Sequence, residues 1–274
     1  VYKRPDGLVV VRNITEGAKV KVDEVTETIE PDLLYPLLRG RDVQRWRAEP
    51  SAWILITHLP GMGLKAISER DMQINYPRTY GYLKQFEKVL RERAAFKRYF
   101  TRKDKNGRIA ETGPFYSMFD VGTYTFAPWK VVWTRVGNDI TAAVAGHPDV
   151  AGEQKPVVPI ETVTLVDFTD FTEAHYFCAV ANSSPWRLVI VATAVHGTGG
   201  FGSPNVLEKA RIPSFDPNDS VHLRLAELSE QAHETAKVGD ELRLREIEAE
   251  IDLWAAKLWN LSDDELREIQ KSLA

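Results

Sequence analysis

The chain has 274 residues, 43% of them hydrophobic and 27% charged, and a formal net charge of −4 at pH 7, as expected of a water-soluble globular protein with one large domain or two small ones. No apolar run reaches the roughly 18 residues of a transmembrane helix, and the start, VYKRPDGLVVV, lacks the apolar core of a signal peptide. The single cysteine, Cys178, excludes an internal disulfide and predicts a reducing cytoplasm, and the six histidines show no metal-ligand spacing.

The N-terminal region is predicted to be β-structure. Apolar alternation in residues 8–11 and 20–25 indicates two strands joined by a turn near Gly17. Residues 53–57, Trp-Ile-Leu-Ile-Thr, indicate a buried strand that ends before a proline–glycine turn.

Between these strands, an apolar run over residues 33–38 continues into an arginine cluster. Four arginines lie within nine residues, with Asp42 as the one acid among them: Arg39, Arg41, Arg45 and Arg47. Guanidinium groups on a rigid apolar base suit an anionic partner. The structural alternative is a helix end whose arginines pair with nearby acids and solvent.

The most cationic segment spans residues 84–108, with ten basic and three acidic residues. Pro77 is suited to the first turn of a helix, and a helix is predicted from Arg78 to Phe100. Its basic face, opposite the apolar side, carries four cations: Lys84, Lys88, Arg91 and Arg98. This face is either a solvated helix surface or a stripe that contacts phosphates.

The middle of the chain alternates strands with one helix. Thr172 is predicted to cap a helix through Ala181, which would place Cys178 in the core rather than at a reactive site. A glycine-rich loop occupies residues 196–204. Runs rich in β-branched residues predict strands at residues 129–133, 140–145, 157–166 and 188–195.

The C-terminal region is acidic and helical. Residues 1–215 hold 28 basic and 24 acidic residues, whereas residues 216–274 hold 7 and 15, so the charge passes from +4 to −8. Ser220 is predicted to cap one helix that ends before Gly239, and apolar spacing of three and four over residues 244–258 predicts a second. Ser262 and Glu265 form a capping box for a last short helix. A mildly basic body allows a nucleic-acid surface there.

Three motifs resemble catalytic or nucleotide-binding sites only superficially. Residues 147–155 hold a PD…ExK-like string, but the acids are too close together, in a loop, for a nuclease metal site. Residues 197–202 lack the lysine of a P-loop and the spacing of a dinucleotide fold. Residues 183–186, Ser-Ser-Pro-Trp, half resemble the motif with which amino-methyltransferases grip a base, but the first proline is missing. No catalytic set is found.

Five segments in order nevertheless resemble a known family. They are residues 36–46 (PLLRGRDVQRW), 76–93 (Tyr-Pro…Tyr-Leu…Arg), 127–133 (APWKVVW), 173–183 (EAHYFCAVANS) and 247–269 in the C-terminal helices. Together they resemble the C-terminal specificity region of type II adenine-N6 DNA methyltransferases, the TaqI-like specificity-domain family. Residues 179–181 depart from it, because the family tends to bulkier leucines there.

The resemblance implies an α/β (α+β) fold, with a twisted mixed β-sheet and flanking helices followed by a C-terminal helical hairpin. The resemblance spans roughly residue 30 to the end of the chain, and we predict a DNA target-recognition domain over residues 1–217 and a helical region over 218–274. The module would recognise double-stranded DNA beside a methyltransferase catalytic domain in a parent chain, in the cytoplasm of a prokaryote, for restriction–modification or phage defence. S-adenosylmethionine is expected only for that parent domain, so this chain is predicted to hold no cofactor and not to be an enzyme by itself.

The DNA-binding residues follow from the basic stretches and the shared motifs. They are Arg39, Arg41, Arg45, Arg47, Lys84, Lys88, Arg91, Arg98, Lys130, Arg135, Lys155, Gly199 and Gly200. The arginine cluster is expected to hold the frame or the phosphates, and base reading is expected from residues 101–125, 138–156 and 197–203. The alternative function is a protein-interaction module that docks through the acidic C-terminal helices.

Overall fold

The computed structural model describes residues 1–18, 20–62, 65–137, 139–193 and 211–273. Its α+β class confirms the predicted fold class, but the strands form small sheets of two or three strands instead of one larger sheet. The chain divides into two compact units. Unit 1 comprises Val1–Pro36, Trp53–Phe126 and Pro148–Lys155, and unit 2 comprises Leu37–Ala52, Ala127–His147 and Pro156–Ala274.

The secondary structure follows in chain order. The strands are β1 Tyr2–Lys3, β2 Val9–Arg12, β3 Thr26–Ile29, β4 Leu34–Leu38, β5 Val43–Gln44, β6 Arg47–Ala48, β7 Ala52–Leu55, β8 Thr101–Lys103, β9 Ile109–Glu111, β10 Trp129–Thr134, β11 Ala143–Ala145, β12 Asp149–Val150, β13 Glu153–Gln154, β14 Val158–Pro159 and β15 Val163–Phe168. The helices are α1 Glu69–Asn75, α2 Pro77–Lys84, α3 Glu87–Glu92, α4 Ala94–Tyr99, α5 Phe171–Asn182, α6 Ser184–Thr193, α7 Ser220–Val238, α8 Glu241–Leu258 and α9 Asp263–Leu273. No described helix is long and apolar enough to cross a membrane.

Unit 1 contains a three-stranded antiparallel sheet and a group of short helices. Strand β2 pairs with β1 and β3, and Val9 faces Ile29 across the second pair. Gly17 adopts a left-handed conformation (φ 72°) between β2 and β3, which confirms the turn predicted there. One apolar cluster surrounds Val9 and Ile29, and a second contains Met72 and Phe115.

The prediction of a single helix from Arg78 to Phe100 is wrong, because the segment forms three short helices, α2, α3 and α4. Pro77 starts α2 as predicted. The backbone leaves the helical region at Arg93 (ψ 134°), whose guanidinium turns inward. It donates hydrogen bonds of 2.9 to 3.0 Å to the carbonyl oxygens of Leu90, Phe115 and Ser117. The predicted continuous basic face therefore does not exist.

Unit 2 is built on the sheet β11–β10–β15 and on helices that pack against it. Val131 of β10 faces Val144 on one neighbouring strand and Val166 on the other, both antiparallel. Helix α5 packs on β10 and along α7, and the buried core includes Trp46, Trp133 and other large side chains. A further strand pair of unit 2 joins the end of β4 to β14, in parallel.

The strand predicted at residues 188–195 is wrong, because residues 184–193 form helix α6. Pro185 lies in its first turn, where a missing N–H costs nothing. Trp186 and Ile190, four residues apart, are buried, whereas Val189 is substantially exposed. The run therefore has one buried helical face, and its β-branched residues misled the strand assignment.

The C-terminal helices form largely as predicted. Asp219 caps α7 in place of Ser220, because its carboxylate accepts a hydrogen bond from the backbone N of Val221 (2.7 Å). Ser262 and Glu265 make the predicted capping box at the start of α9. The apolar spacing of α8 faces the core of unit 2, with Ile247 and Ile251 buried and the other members partly buried.

Residues 218–273 do not form a compact unit of their own. Helix α7 packs along α5, and its Leu225 and Ala232 lie in the same apolar cluster as Ala174 and Cys178. In the division into two compact units these helices belong to unit 2, and the domain boundary between residues 217 and 218 stays a prediction. Cys178 is buried, and burial raises the pKa of its thiol to about 12, as suits a core residue.

Two buried histidines connect α5, α7 and β11. The His175 ring lies 3.0 Å (Nδ1) from the Ser229 hydroxyl, and His233 Nε2 accepts a hydrogen bond from the backbone N of Val144 (2.9 Å). Burial lowers the pKa of His175 to about 3 and that of His233 to about 4. Both rings are therefore neutral in the folded chain at neutral pH.

Unit 2 should lose stability as the pH falls from 7.5 to 5. Unfolded histidines bind a proton near pH 6.5, while these two stay neutral in the fold, so acid favours the unfolded state. We expect a loss of roughly 2–4 kcal/mol over this range. Denaturant unfolding at each pH measures this loss. His233→Gln keeps an acceptor for the backbone N of Val144, and it should reduce by about one the number of protons taken up on unfolding, which sets the slope of stability against pH. A stability that is constant over this range would contradict the assignment.

Candidate nucleic-acid interface

The predicted arginine cluster lies in unit 2, on a 3-10 turn (Gly40–Asp42) and the hairpin β5–β6. Arg39 is a structural residue: its Nη2 donates to the Ser51 hydroxyl (2.8 Å), and its backbone N donates to the Asp42 carboxylate (2.9 Å). The Ser51 hydroxyl in turn donates to Asp42. The one acid of the cluster therefore closes the turn through both carboxylate oxygens.

Arg45 is also a structural residue. Its guanidinium donates to the carboxylate of Glu248 and to the carbonyl oxygen of Asn182, both at 3.1 Å. The neighbouring Trp46, which is fully buried, donates its indole N–H to the same carboxylate (2.8 Å). Together these bonds fix the two-residue turn of the β5–β6 hairpin against α8.

The other two arginines of the cluster face solvent. The side chain of Arg41 is 71% exposed, and its only ion-pair partner among the described residues is Asp42 at 4.0 Å. Arg47 pairs with the exposed Glu49 at 2.7 Å. Of the four arginines, Arg41 is therefore the one best placed to meet an anionic ligand.

Arg45→Ala should affect mainly the stability of unit 2, and Arg41→Ala should affect mainly ligand binding. Arg45→Ala should lower the free energy of unfolding of unit 2 by about 1–3 kcal/mol, because Glu248 and the Asn182 carbonyl lose a charged donor. Arg41→Ala should change it by less than about 0.5 kcal/mol but weaken binding to DNA severalfold. Denaturant unfolding and fluorescence anisotropy with labelled duplex measure the two effects. Equal loss of stability in both variants would contradict the division of roles.

Two of the predicted DNA-binding lysines are buried. Lys130 is 1% exposed, and its ammonium donates to the carbonyl oxygen of Ala127 (2.8 Å). Burial lowers the pKa of Lys130 to about 8, an effect that Asp167 opposes. In unit 1, Lys155 donates to the carbonyl oxygens of Pro31 (2.9 Å) and Asp32 (2.6 Å). Both lysines hold backbone carbonyls, so neither presents its ammonium to a ligand at the surface.

The remaining predicted residues have different surroundings. Arg135 is exposed just after β10. Gly199 and Gly200 lie outside the described residues, as does the rest of the predicted glycine loop. In the nuclease-like string, Asp149 accepts a hydrogen bond from the backbone N of Gly152 (3.0 Å), and no group of three potential metal ligands occurs within the described ranges. The structure thus gives the string a turn-forming role.

The cations of the segment 84–108 in unit 1 fall into two groups: those that bind a carboxylate or backbone carbonyls, and those that make no ion pair with a described residue. Lys84 and Arg91 both pair with Glu87 (2.7 Å each), and Arg91 also pairs with Glu111. Arg93 is committed to backbone carbonyls. The other seven of the ten basic residues make no ion pair within the described part of the chain: Lys88, Lys97, Arg98, Arg102, Lys103, Lys105 and Arg108.

Four of these seven cations belong to the hairpin β8–β9, which the sequence reasoning missed. Lys103 faces Ile109 across the strands, and Asp104 accepts hydrogen bonds from the backbone N of Asn106 and Arg108 (2.8 Å each) in the turn. Gly107 takes the left-handed conformation that such a turn needs (φ 77°). The Asn106-Gly107 pair was the signal that could have revealed the hairpin.

Beside the hairpin lies an exposed aromatic pair. Tyr99, the last residue of α4, stacks on Phe119 with ring centroids 3.7 Å apart and an interplanar angle of 10°. The guanidinium of Arg98 lies 5.2 Å from the centre of the Tyr99 ring. The base of the hairpin is closed by the backbone N of Thr112, which donates to the carbonyl oxygen of Phe100 (2.8 Å). Free cations and aromatic rings thus occur together in unit 1.

No family model matches the chain. The chain is 28% identical over 156 residues to the type II methyltransferase M.NspV from Nostoc sp. (strain ATCC 29411 / PCC 7524). The similarity supports a relationship to type II methyltransferases. The match covers 57% of this chain and 28% of the relative, so the chain corresponds to only a part of such a protein.

Proposed function

We propose that this chain is a sequence-specific double-stranded DNA recognition module of an adenine-N6 DNA methyltransferase, in a restriction–modification or phage-defence system of a prokaryotic cytoplasm. The observation that carries the proposal is the hairpin β8–β9, whose four cations make no ion pair with another described residue, in a chain related to a type II methyltransferase. The catalytic domain and its S-adenosylmethionine would belong to the parent protein. The module itself would bind DNA and perform no chemistry.

Unpaired surface cations are what phosphate recognition requires. A cation that already holds a carboxylate must give up that partner before it can bind a phosphate. Arg102, Lys103, Lys105 and Arg108 have no such partner among the residues that the structure describes. Their release of counterions from DNA supplies affinity without sequence preference. Base readout would come from side chains at groove edges, for which the segment 101–125 remains our candidate.

The proposed contact residues differ from the set suggested by sequence alone. In unit 1 we retain Lys88 and Arg98 and add the four cations of the hairpin. In unit 2 we retain Arg41 and Arg135, which are exposed. Lys84, Arg91 and Arg47 are secondary candidates because each already has a carboxylate partner, and Arg39, Arg45, Lys130 and Lys155 are proposed to support the fold.

The test is selection of bound sequences from a random duplex pool, followed by affinity measurements over a range of salt concentrations. We expect an enriched motif and a fall of log Kobs with log salt whose slope is roughly −0.9 for each phosphate contact. A poly-anion control such as heparin separates charge attraction from sequence recognition. Absence of duplex binding at low salt would overturn the proposal for this chain.

The alternative function, protein docking through the acidic C-terminal helices, has less support. The apolar residues that gave α8 its heptad-like spacing, among them Ile247 and Ile251, are buried in the core of unit 2. Many of the acidic side chains that remain on the surface are paired within their own helix, as Glu234 is with Lys237 and Glu246 with Arg243. The heptad-like apolar face of α8 is therefore covered by unit 2 itself and is not open to a partner.

A further inference from the structure

Tyr99 and Phe119 form an unusual surface feature of unit 1. The two residues are 42% and 45% exposed although their rings stack face to face. Phe119 has no other aromatic neighbour within the described residues, and nearly half of its surface faces water. Large aromatic groups kept at the surface together mark interaction sites far more often than single exposed apolar residues do.

The pair is held in place from both sides. Tyr99 ends α4, and only Phe100 separates it from the hairpin β8–β9. Phe119 precedes Asp120, which has a left-handed backbone (φ 63°) and whose carbonyl oxygen accepts a hydrogen bond from the Tyr124 hydroxyl. Both rings therefore approach the surface from anchored backbone, and little conformational entropy would be lost when a flat ligand stacks on them.

The charges around the pair select the type of ligand. Arg98 lies against Tyr99, and the hairpin that follows carries four further cations with no ion-pair partner in the described ranges. A flat apolar group attached to a polyanion is the chemistry that such a surface fits, and a nucleobase in DNA has both properties. Phenylalanine is also among the side chains that proteins insert between base steps to kink a duplex.

We propose that Phe119, backed by Tyr99, is a stacking wedge that parts a base step in duplex DNA bound by the β8–β9 hairpin. The inference rests on the proposed function and deepens it, because it names the contact that distorts the DNA. The cations hold the phosphates on either side of the step, and the ring of Phe119 replaces the stacking that the separated base loses.

The experiment uses the duplex enriched by selection, with 2-aminopurine placed at each adenine in turn and a parallel set carrying one mismatch. Wild-type protein should raise 2-aminopurine fluorescence at one step. It should also bind the duplex mismatched at that step about tenfold more tightly, since unstacking is cheaper there. Phe119→Ala should abolish the fluorescence rise and weaken binding about tenfold, whereas Tyr99→Phe should retain both.

Tyr2→Ala is the matched control, because Tyr2 is an exposed aromatic residue of unit 1 that stacks on no other ring among the described residues. It should leave the fluorescence and the affinity unchanged, and circular dichroism should show that all variants are folded. Binding without any 2-aminopurine signal, or with a signal that Phe119→Ala preserves, would overturn the wedge while leaving DNA recognition intact. Absence of DNA binding by the wild type would overturn both.

Discussion

Replacement of Arg102, Lys103, Lys105 and Arg108 by glutamine should lower the affinity for duplex DNA at least ~100-fold at about 0.1 M salt. Each phosphate contact releases close to one counterion and contributes roughly a tenfold gain in affinity at this ionic strength. The slope of log Kobs against log salt should become shallower by about 0.9 for every phosphate that the variant no longer binds. Fluorescence anisotropy with one duplex at four salt concentrations gives both quantities.

The chain offers a control with the same change in net charge. Lys237, Arg243, Arg267 and Lys271 are exposed cations of unit 2, and each pairs with an acid three residues away. Their replacement by glutamine should leave affinity and slope nearly unchanged. If the two quadruple variants lose affinity equally, the effect comes from net charge, and the hairpin has no specific role.

Trp46→Ala should strongly destabilise unit 2, with a loss of about 3–5 kcal/mol in the free energy of unfolding. The indole is fully buried, contacts the His233 ring (centroids 5.5 Å apart) and donates to Glu248. The backbone N of Trp46 also donates to the carbonyl oxygen of Ala142 (3.0 Å). Removal of the side chain would leave a cavity, and the Glu248 carboxylate would keep only its bond from Arg45.

Denaturant unfolding followed by circular dichroism measures this loss. Trp46→Phe should cost less than Trp46→Ala, because it keeps most of the apolar volume and loses only the indole hydrogen bond. Leu242→Ala, at an exposed position of α8, should be nearly neutral. A loss below about 1 kcal/mol for Trp46→Ala would show that the β5–β6 hairpin is not anchored as the structure indicates.

The elements that sequence predicted well have short-range determinants. The capping box of Ser262 and Glu265 and the start of α2 at Pro77 depend on residues within one turn. Helix α6 was assigned as a strand because residues 188–191 are apolar and mostly β-branched, and only burial on one side, at Trp186 and Ile190, reveals the helical period. Tertiary packing, rather than local β-propensity, determines that this segment is a helix.

The roles of the cations could not be read from the sequence. Arg41 and Arg45 lie four residues apart in one motif, but Arg45 meets Glu248, which is 203 residues away in sequence. Lys130 looked like a DNA contact and proves to be buried. Whether a cation is free for a ligand depends on long-range contacts that no local pattern contains, whereas the hairpin turn at Asn106-Gly107 was visible locally and overlooked.

Hydrogen exchange of the chain with and without its selected duplex tests the proposed DNA recognition most directly, because it locates the interface without a substitution. We expect slowed amide exchange in the hairpin β8–β9 and in the segment around Phe119, with little change in α7, α8 and α9. Protection confined to those acidic C-terminal helices, or absent from residues 98–120 under saturating DNA, would contradict recognition through the cationic hairpin.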